Sequence, residues 1–576
     1  MLAEKEYKRW CTDPLLDESL AKELASFRND PDAIRMCFGS SMSFGTAGLR
    51  ATMHPGTACM NVYTVSQATQ GIAELVKKEG GSARGVAIAY DSRNNSRLFA
   101  EVAAEVLAGN GIRVYLFDDV RPTPELSFAV RACGCMAGIN ITASHNPKEY
   151  NGYKAYWEDG AQLSPEHSRV VSDAIAAVDV LGGAKRMALD EARKNGLLTL
   201  LDESFDDIYL DAVMKTAIAP EEIKGVADEL KIVYTPLHGA GHRLVPEVLR
   251  RMGLKHLYTV PEQMVLDGNF PTVKKPNPED AAVFQLGIAI AEQKGSDLII
   301  ATDPDADRVG VMSRTKDGGF ATITGNQMGA LMLDYVIRAR RARGMLSADA
   351  YAVKSIVSTA LAEKIAEKNG VTLHDVFTGF KFIGEVIKNY EISRKPGEFL
   401  LGFEESYGYL FGTYARDKDA VGATMMIVEM TAHYRRRGMT LSDALENLYK
   451  EYGLYKEGVL DLYMEGVDGP DRLRRAMERL RSAPLTEFAG ERVLLLTDHS
   501  LQYTLNLKDG VKVPTGMEKS NVLCYTLENG DKIIVRPSGT EPKIKFYFLC
   551  SGDDRISLAA KIQEYQKAAE ALTSQA

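Results

Sequence analysis

One pattern constrains this chain more than any other: short β-branched apolar runs alternate with amphipathic helical stretches, which predicts βαβ units around largely parallel sheets. The runs come in three sets. "RGVAIAYDS", "IRVYLFDD" and "MAGINITAS" form the first, "LKIVYTP", "KHLYTV" and "DLIIATDPDADR" the second, and "DAYAVKSIVST", "TLHDVFTGF" and "EFLLGFEESYGY" the third. Beyond them "YKEGVLDLYMEG", "PDRLRRAMERLRSA", "ERVLLLTD" and "GDKIIVRPSGTEPKIKFYFLC" mix strands and helices without that alternation, and a helix "SLAAKIQEYQKAAEAL" closes the chain. We therefore expect α/β domains at residues 1–205, 206–320 and 321–453, then an α+β domain at 454–576. The length of 576 residues agrees, because it is too great for a single core when domains usually run to about 100–200 residues.

Composition narrows the function. Apolar residues make up 45% and charged residues 26%, as in ordinary soluble globular proteins, and no apolar run is long enough to span a bilayer. The start, "MLAEKEYKRWCTDPLLDESL", carries early acids and no apolar core before a cleavage site, so it does not read as a signal peptide. The seven cysteines are scattered; Cys133 and Cys135 have neither CxxC spacing nor a second pair to complete a zinc site. Reduced thiols in a cytoplasm fit this pattern. A net charge of −9 argues against nucleic acid as a partner, since a phosphate backbone demands a broad basic surface. An anionic ligand must be gripped by a local cluster of cations.

The unusual polar residues gather at strand ends. "TASHNP" follows "GINI", "DPDADR" follows "LIIAT", and "FEESYG" follows "FLLG". In open α/β sheets ligands bind at the carboxyl edge, so the three loops are candidates for one binding region. Asp303, Asp305 and Asp307 alternate on what the pattern predicts to be extended chain, which points their carboxylates to one side. Repulsion among them is relieved by a hard divalent cation, Mg²⁺ or Ca²⁺, and few protein ligands leave room for phosphate and water as Mg²⁺ prefers. An EF-hand is excluded, because Arg308 and Arg314 stand where Gly and Glu are required. The plain alternative is a solvated acidic loop.

Ser144 and His145 are adjacent, an arrangement that rarely forms a nucleophile–base pair, and no GxSxG elbow surrounds them. A serine facing a metal and cations can instead carry a phosphoryl group, with Lys154 as proton shuttle or electrophile. Against this stands an Asn-Pro turn in which Ser144 merely caps a helix. "RPSGTEPK" (Arg536 to Lys543) has the composition of an anion cradle: a guanidinium fork, the Ser538 and Thr540 hydroxyls, and Gly539 for close backbone approach; its alternative is a surface turn. "FEESYGY" offers Glu404, Glu405 and Ser406 to sugar hydroxyls, or is an exposed acidic turn. "PLHGAGH" sets His238 and His242 four apart, but its glycines speak against a zinc-binding helix. "FGTAGLR", with Gly45, Gly48 and Arg50, is a further phosphate contact candidate.

Taken in order, "FGTAGLR", "TASHNP", "DPDADR", "TGFKFIG", "FEESYG" and "RPSGTEP" resemble the α-D-phosphohexomutase superfamily, most closely its phosphoglucomutase/phosphopentomutase branch, over essentially the whole chain. The resemblance implies three similar mixed-sheet α/β domains and a C-terminal α+β lid domain around a central cleft. It implies that Ser144 is the phosphoserine, that Asp303, Asp305 and Asp307 hold Mg²⁺ together with an oxygen on Ser144, and that Arg50, Lys154 and Arg308 surround the transferring group. Glu404 and Ser406 would contact sugar hydroxyls, Gly379, Lys381 and Arg416 would line the substrate site, and Arg536, Ser538, Gly539 and Thr540 would hold the distal phosphate. Two departures bear on sugar choice: DPDADR stands where many relatives carry DGDGDR, and FEESYG where many phosphoglucomutases carry GEESFG.

The implied activity interconverts glucose 1-phosphate and glucose 6-phosphate, with glucose 1,6-bisphosphate as intermediate and activator. The expected partner is a small sugar phosphate, with no nucleic acid and no membrane, and the protein is expected to be a cytoplasmic monomer or weak homodimer. Rival readings are a phosphopentomutase or phosphomannomutase on the same machinery, a sugar-1,6-bisphosphate synthase, a phosphatase, and a non-catalytic sugar-phosphate binder.

Overall fold

The computed structural model of the chain describes residues 2–14, 16–45, 48–464, 469–538 and 543–574. Two compact units emerge: Met1–Gly325 with Ile383–Gly402 and Ser406–Ser442, and Asn326–Phe382 with Phe403–Glu405 and Asp443–Ala576. The stretch read from sequence as a third α/β domain, 321–453, is divided between them.

In the first unit the apolar runs form two sheets. The first contains β1 (Leu49–Thr52), β2 (Val86–Tyr90), β3 (Val114–Phe117), β4 (Ala137–Ile141), β5 (Tyr150–Trp157) and β6 (Leu198–Leu201), in the order β1-β5-β4-β2-β3-β6. The second contains β7 (Lys231–Thr235), β8 (His256–Thr259), β9 (Leu298–Thr302), β10 (Val309–Arg314) and β11 (Phe320–Ile323), in the order β11-β10-β9-β7-β8. Both sheets follow one plan. The central strand, β2 or β7, is parallel to the strand on either side, and one reversed strand, β5 or β10, runs antiparallel to its two neighbours.

Burial on both faces explains why β2 lacks polar alternation. Val86, Ile88 and Tyr90 pack with Phe99, Ala103 and Leu107 of the helix Ser96–Gly109, whereas Ala87 and Ala89 pack with Leu126, Ala129 and Val130 of the helix Thr123–Ala132. The order of strand addition reverses at β2 and at β7, which opens a crevice at the strands' carboxyl ends. The loops 142–149, between β4 and β5, and 303–308, between β9 and β10, lie at those ends.

In the second unit β12 (Ala350–Ser355) pairs in parallel with β13 (Thr372–Val376). Of the strands that follow in the chain, β14 (Glu398–Glu404) is divided between the two units and β15 (Gly408–Leu410) belongs to the first. The C-terminal part is an antiparallel sheet of β16 (Leu454–Tyr463), β17 (Glu487–Phe488), β18 (Glu491–Asp498), β19 (Tyr503–Asn506), β20 (Lys512–Pro514), β21 (Leu523–Leu527), β22 (Lys532–Pro537) and β23 (Lys543–Gly552). Its order is β16-β23-β22-β21-β18-β19-β20, with β17 on β18. The helices Gly469–Ser482 and Arg555–Ser574 cover it, packing Met477, Leu480, Leu558, Ile562 and Tyr565 against Phe546 and Phe548. This is the α+β arrangement expected from the irregular pattern. Among the described residues, no helix is long and apolar enough to cross a membrane.

Candidate active site

The acidic loop after β9 is not extended, contrary to the reading from alternation. Ala306 adopts φ +49°, and its N–H donates to Asp303 O at 2.9 Å. The reason is local: Asp303 Oδ1 accepts the N–H groups of both Asp307 (3.1 Å) and Arg308 (3.0 Å), so a side chain supplies the acceptor that a strand partner would have supplied. The turn nevertheless gathers the three carboxylates. One oxygen from each of Asp303, Asp305 and Asp307 lies within 4.8 Å of the others, and all three residues are buried. A side chain at the left-handed angle of Ala306 costs about 1–2 kcal/mol.

Ser144 caps no helix, since the next element is β5. It sits at φ +52°, with its N–H bound to Thr142 Oγ1 at 2.8 Å and its own Oγ donating to Asp303 Oδ2 at 2.8 Å. His145 Nδ1 lies 3.1 Å from the same Oγ. A non-glycine residue held in this backbone region persists only where its surroundings over-determine it. Arg93 supplies that constraint. Its guanidinium donates to Ser144 O (2.5 Å), Asn146 O, Pro147 O (2.9 Å) and Tyr150 O (3.1 Å). It also pairs with Asp91 at 3.3 Å and stacks over Phe270 at 5.0 Å.

Cations meet the aspartates from separate segments. Lys154, on β5, reaches Asp305 Oδ2 at 2.7 Å and Asp307 Oδ2 at 3.3 Å; Lys418 reaches Asp307 Oδ2 at 3.1 Å and Asp417 Oδ1 at 3.0 Å. Arg308 pairs with Glu279 at 2.7 Å, and Arg50 donates to Asn146 Oδ1 at 3.1 Å. Burial alone would push the Asp307 carboxyl up, but Lys418, Lys154 and Arg308 outweigh it and hold it well below the usual range. Asp303 goes the other way, raised well above its usual value by burial and then by Asp305 and Asp307. Burial would lower Lys154, but Asp305 and Asp307 prevail and keep it an ammonium. Burial, followed by the charges of Arg308 and Arg50, holds His145 well below its usual range, hence neutral.

Hydrogen bonds from the side chains present nevertheless leave part of the aspartate cluster unsatisfied. Asp305 Oδ1 and Asp307 Oδ1 are buried with no hydrogen-bond partner, and buried carboxylate oxygens left this way call for an ion. Oxygen donors from three aspartates and a serine fit a hard divalent cation.

The structure brings Ser144, Lys154, Arg50, Arg308 and the three aspartates together. Arg416 stands apart from them. Its side chain is buried, donating to Thr413 O, Ala415 O and Glu391, so the cation that "YARDKDA" delivers to the carboxylates is Lys418, two residues on. In the second unit Glu404 Oε1 accepts the Gly379 N–H at 2.6 Å, and Glu405 Oε2 accepts from Ser355 Oγ at 2.9 Å. Lys381 lies over the Phe382 ring at 4.9 Å. Ser406 is partly exposed in the turn between β14 and β15. Arg536 lies on β22 opposite Lys545, and the Ser538 N–H donates to Lys543 O at 2.8 Å. Gly539 and Thr540 lie outside the described residues. His238 is buried and fixed by Val265 O and Thr272 Oγ1, so it serves the fold.

Sequence reasoning missed Arg93 and Lys418. A usable signal for Arg93 was its place: "YDSR" ends β2, the strand beside β4, at the same sheet edge as the serine loop.

Comparison with known proteins agrees with this geometry. Family models described as phosphoglucomutase/phosphomannomutase, alpha/beta/alpha domains I, II and III match residues 41–180, 207–318 and 324–452. A phosphoglucomutase of Staphylococcus saprophyticus is 36% identical over 533 residues, spanning 92% of this chain and 94% of the relative. A phosphoglucomutase of Staphylococcus aureus (strain N315) is 35% identical over 549 residues, 95% of this chain and 96% of the relative. Among solved structures, the open form of parafusin, a phosphoglucomutase from Paramecium, shares the fold with a TM-score of 0.69 at 17% identity, over 93% of this chain and 96% of that one. A phosphoglucomutase/phosphomannomutase family protein of Burkholderia thailandensis gives 0.65 at 18% identity, over 92% and 97%. With three domain models matched in order and relatives similar along nearly their whole length, the chain belongs to the phosphoglucomutase/phosphomannomutase family.

Proposed function

We propose that the chain is a phosphoglucomutase, a phosphosugar mutase that interconverts α-D-glucose 1-phosphate and glucose 6-phosphate through phosphorylated Ser144 and a glucose 1,6-bisphosphate intermediate. The observation that carries this reading is the Ser144 hydroxyl, 2.8 Å from Asp303 within a buried aspartate cluster ringed by Lys154, Lys418, Arg50 and Arg308. Asp303, Asp305, Asp307 and Ser144 hold Mg²⁺ in this reading, and the bound ion offsets charge on the phosphoryl oxygens.

In the first half-reaction the bond between phosphorus and Ser144 Oγ breaks as a bond to the free sugar hydroxyl forms, and that hydroxyl's proton ends on Oγ; in the second the bisphosphate's other phosphoryl group returns to Oγ, and the Oγ proton ends on the sugar oxygen that is left. Neutral His145 beside Oγ is the group able to hold the proton in between, while Lys154, kept as an ammonium, supplies positive charge to the transferring group. Arg50 and Arg308 bear on the transferring group. Glu404 and Ser406 accept from sugar hydroxyls, with Gly379 and Lys381 beside them, and Arg536, Ser538, Gly539 and Thr540 hold the phosphate that is not reacting. Arg416 takes a supporting part, shaping the segment that presents Lys418. Seven free cysteines accord with a cytoplasmic setting. Sedimentation would decide between monomer and weak homodimer.

The test is initial rates for glucose 1-phosphate, mannose 1-phosphate and ribose 1-phosphate with Mg²⁺ and catalytic glucose 1,6-bisphosphate, alongside Ser144→Ala. Preference for glucose and loss of turnover in the folded variant are expected. Preference for mannose or ribose would replace the named sugar, and near-normal turnover by Ser144→Ala would end the phosphoserine reading.

A further inference from the structure

The three aspartates are not oriented alike, and what fixes Asp305 comes from the neighbouring sheet. Thr123 opens the helix Thr123–Ala132; its N–H donates to Asp305 O at 2.8 Å, and its hydroxyl lies 2.7 Å from Asp305 Oδ2. Asn140, the fourth of the five residues of β4, places Nδ2 2.6 Å from Thr123 Oγ1. All three residues are fully buried.

Proton counting gives the direction of this chain of bonds. Asp305 Oδ2 accepts Lys154 Nζ at 2.7 Å, so it acts as an acceptor, and Thr123 must spend its one hydroxyl proton on it. Thr123 Oγ1 is then an acceptor towards Asn140, which sets the amide with nitrogen facing Thr123. The consequence is visible at both ends. Asp305 Oδ2 is occupied by two donors while Oδ1 has none, and the Asn140 amide oxygen is likewise buried without a partner. An amide in the otherwise apolar run "AGINI" leaves its own oxygen unsatisfied, and the side-chain bond it does make is the one to Thr123.

We propose that Thr123 and Asn140 are positioning residues for the metal site: the relay Asn140 to Thr123 to Asp305 engages Oδ2 and thereby turns Oδ1 towards the cation. This rests on the reading of the aspartates as Mg²⁺ ligands. Partners that orient a ligand in this manner are worth roughly 10–100-fold in metal affinity.

Mn²⁺ is the probe, an oxygen-preferring octahedral ion whose free form is read by electron paramagnetic resonance, titrated into the full-length protein. Wild type is expected to bind one ion near Ser144. Thr123→Val, which keeps shape and removes the hydroxyl, should raise the Mn²⁺ dissociation constant about 10–100-fold, whereas Thr123→Ser should stay within about threefold of wild type. Asn140→Leu, which frees the Thr123 hydroxyl to turn away, should weaken binding by about threefold or more.

The outcomes separate cleanly. Absence of Mn²⁺ binding by wild type overturns the metal reading itself. Binding by wild type with undiminished affinity in Thr123→Val, or with Thr123→Ser as weak as Thr123→Val, overturns the relay and leaves the metal reading standing. If Thr123→Val does not fold, Asn140→Leu decides, and wild-type affinity there overturns the proposal.

Discussion

Replacing Arg93 by methionine should disable the enzyme without touching any group that reacts. The guanidinium is fully buried, faces the equally buried Asp91 at 3.3 Å, and donates to three carbonyls of the serine loop and to that of Tyr150, the first residue of β5. Removing one partner of a buried pair typically costs about 3–5 kcal/mol, because a charge remains without compensation. Asp91 still has the Ser96 hydroxyl at 2.7 Å and the Arg93 N–H at 2.9 Å, which moderates the loss to the lower end, about 3 kcal/mol. Three of the four released carbonyls lie on the loop that holds Ser144 at φ +52°, so relaxation of that strained residue is the expected response. A displacement of about 1 Å at a reacting group costs about 10²-fold in rate.

The assay has two arms: native-state hydrogen exchange at the amides of residues 144–150, and kcat with glucose 1-phosphate. Arg93→Met should lose protection in this loop first and lose about 10²-fold or more in kcat. Arg93→Met combined with Asp91→Leu removes the orphaned charge, so it should recover a large part of the stability and none of the rate. Wild-type protection and kcat in Arg93→Met would refute the argument, and so would a double variant that regains activity.

Lys154→Met removes the ammonium shared by Asp305 and Asp307 and should lower kcat by at least about 10²-fold, with Lys154→Arg no better because the larger guanidinium would have to enter a buried position; rates within about tenfold of wild type would show that the lysine is dispensable. Arg536→Ala should raise KM while kcat stays near wild type, as loss of uniform phosphate binding requires; an unchanged KM would remove Arg536 from the substrate site. His499 is buried against Phe377 at 5.0 Å, and burial holds its imidazole below the usual range, with Asp498 only partly opposing. The unfolded chain then binds the proton more readily, so stability is full above the unfolded value of about 6.5 and is lost as pH falls below it. Unfolding of His499→Phe should depend less on pH between about 5 and 7 than that of wild type, and equal slopes would contradict this.

Much of the site was readable because its parts announce themselves locally. The strands β4 and β9 are five-residue apolar runs, each succeeded by a cluster of polar residues that no buried strand tolerates, so Ser144 and Asp303 could be placed at a sheet edge from the pattern of the chain. The convergence of the carboxylates was foreseen, though on a wrong local premise: the loop is a turn closed on the Asp303 side chain, because an Asx-type bond satisfies the N–H groups of Asp307 and Arg308 better than extension would. Arg416 and Lys418 show the limit of motif reading. They stand two apart in "YARDKDA", and only the packing of that segment decides that Arg416 turns inward to Glu391 while Lys418 reaches Asp307.

By itself, then, the sequence determined the periodicity, hence the α/β and α+β divisions, and which side chains are candidates to carry phosphate and metal. Tertiary structure alone decided their orientation. Arg93 serves a loop some fifty residues away, and Thr123 and Asn140 serve an aspartate more than 160 residues from either. Such roles leave no mark in local pattern, because a hydrogen bond depends on distance and direction between atoms, and those are set by how buried sheets pack rather than by any neighbouring residue.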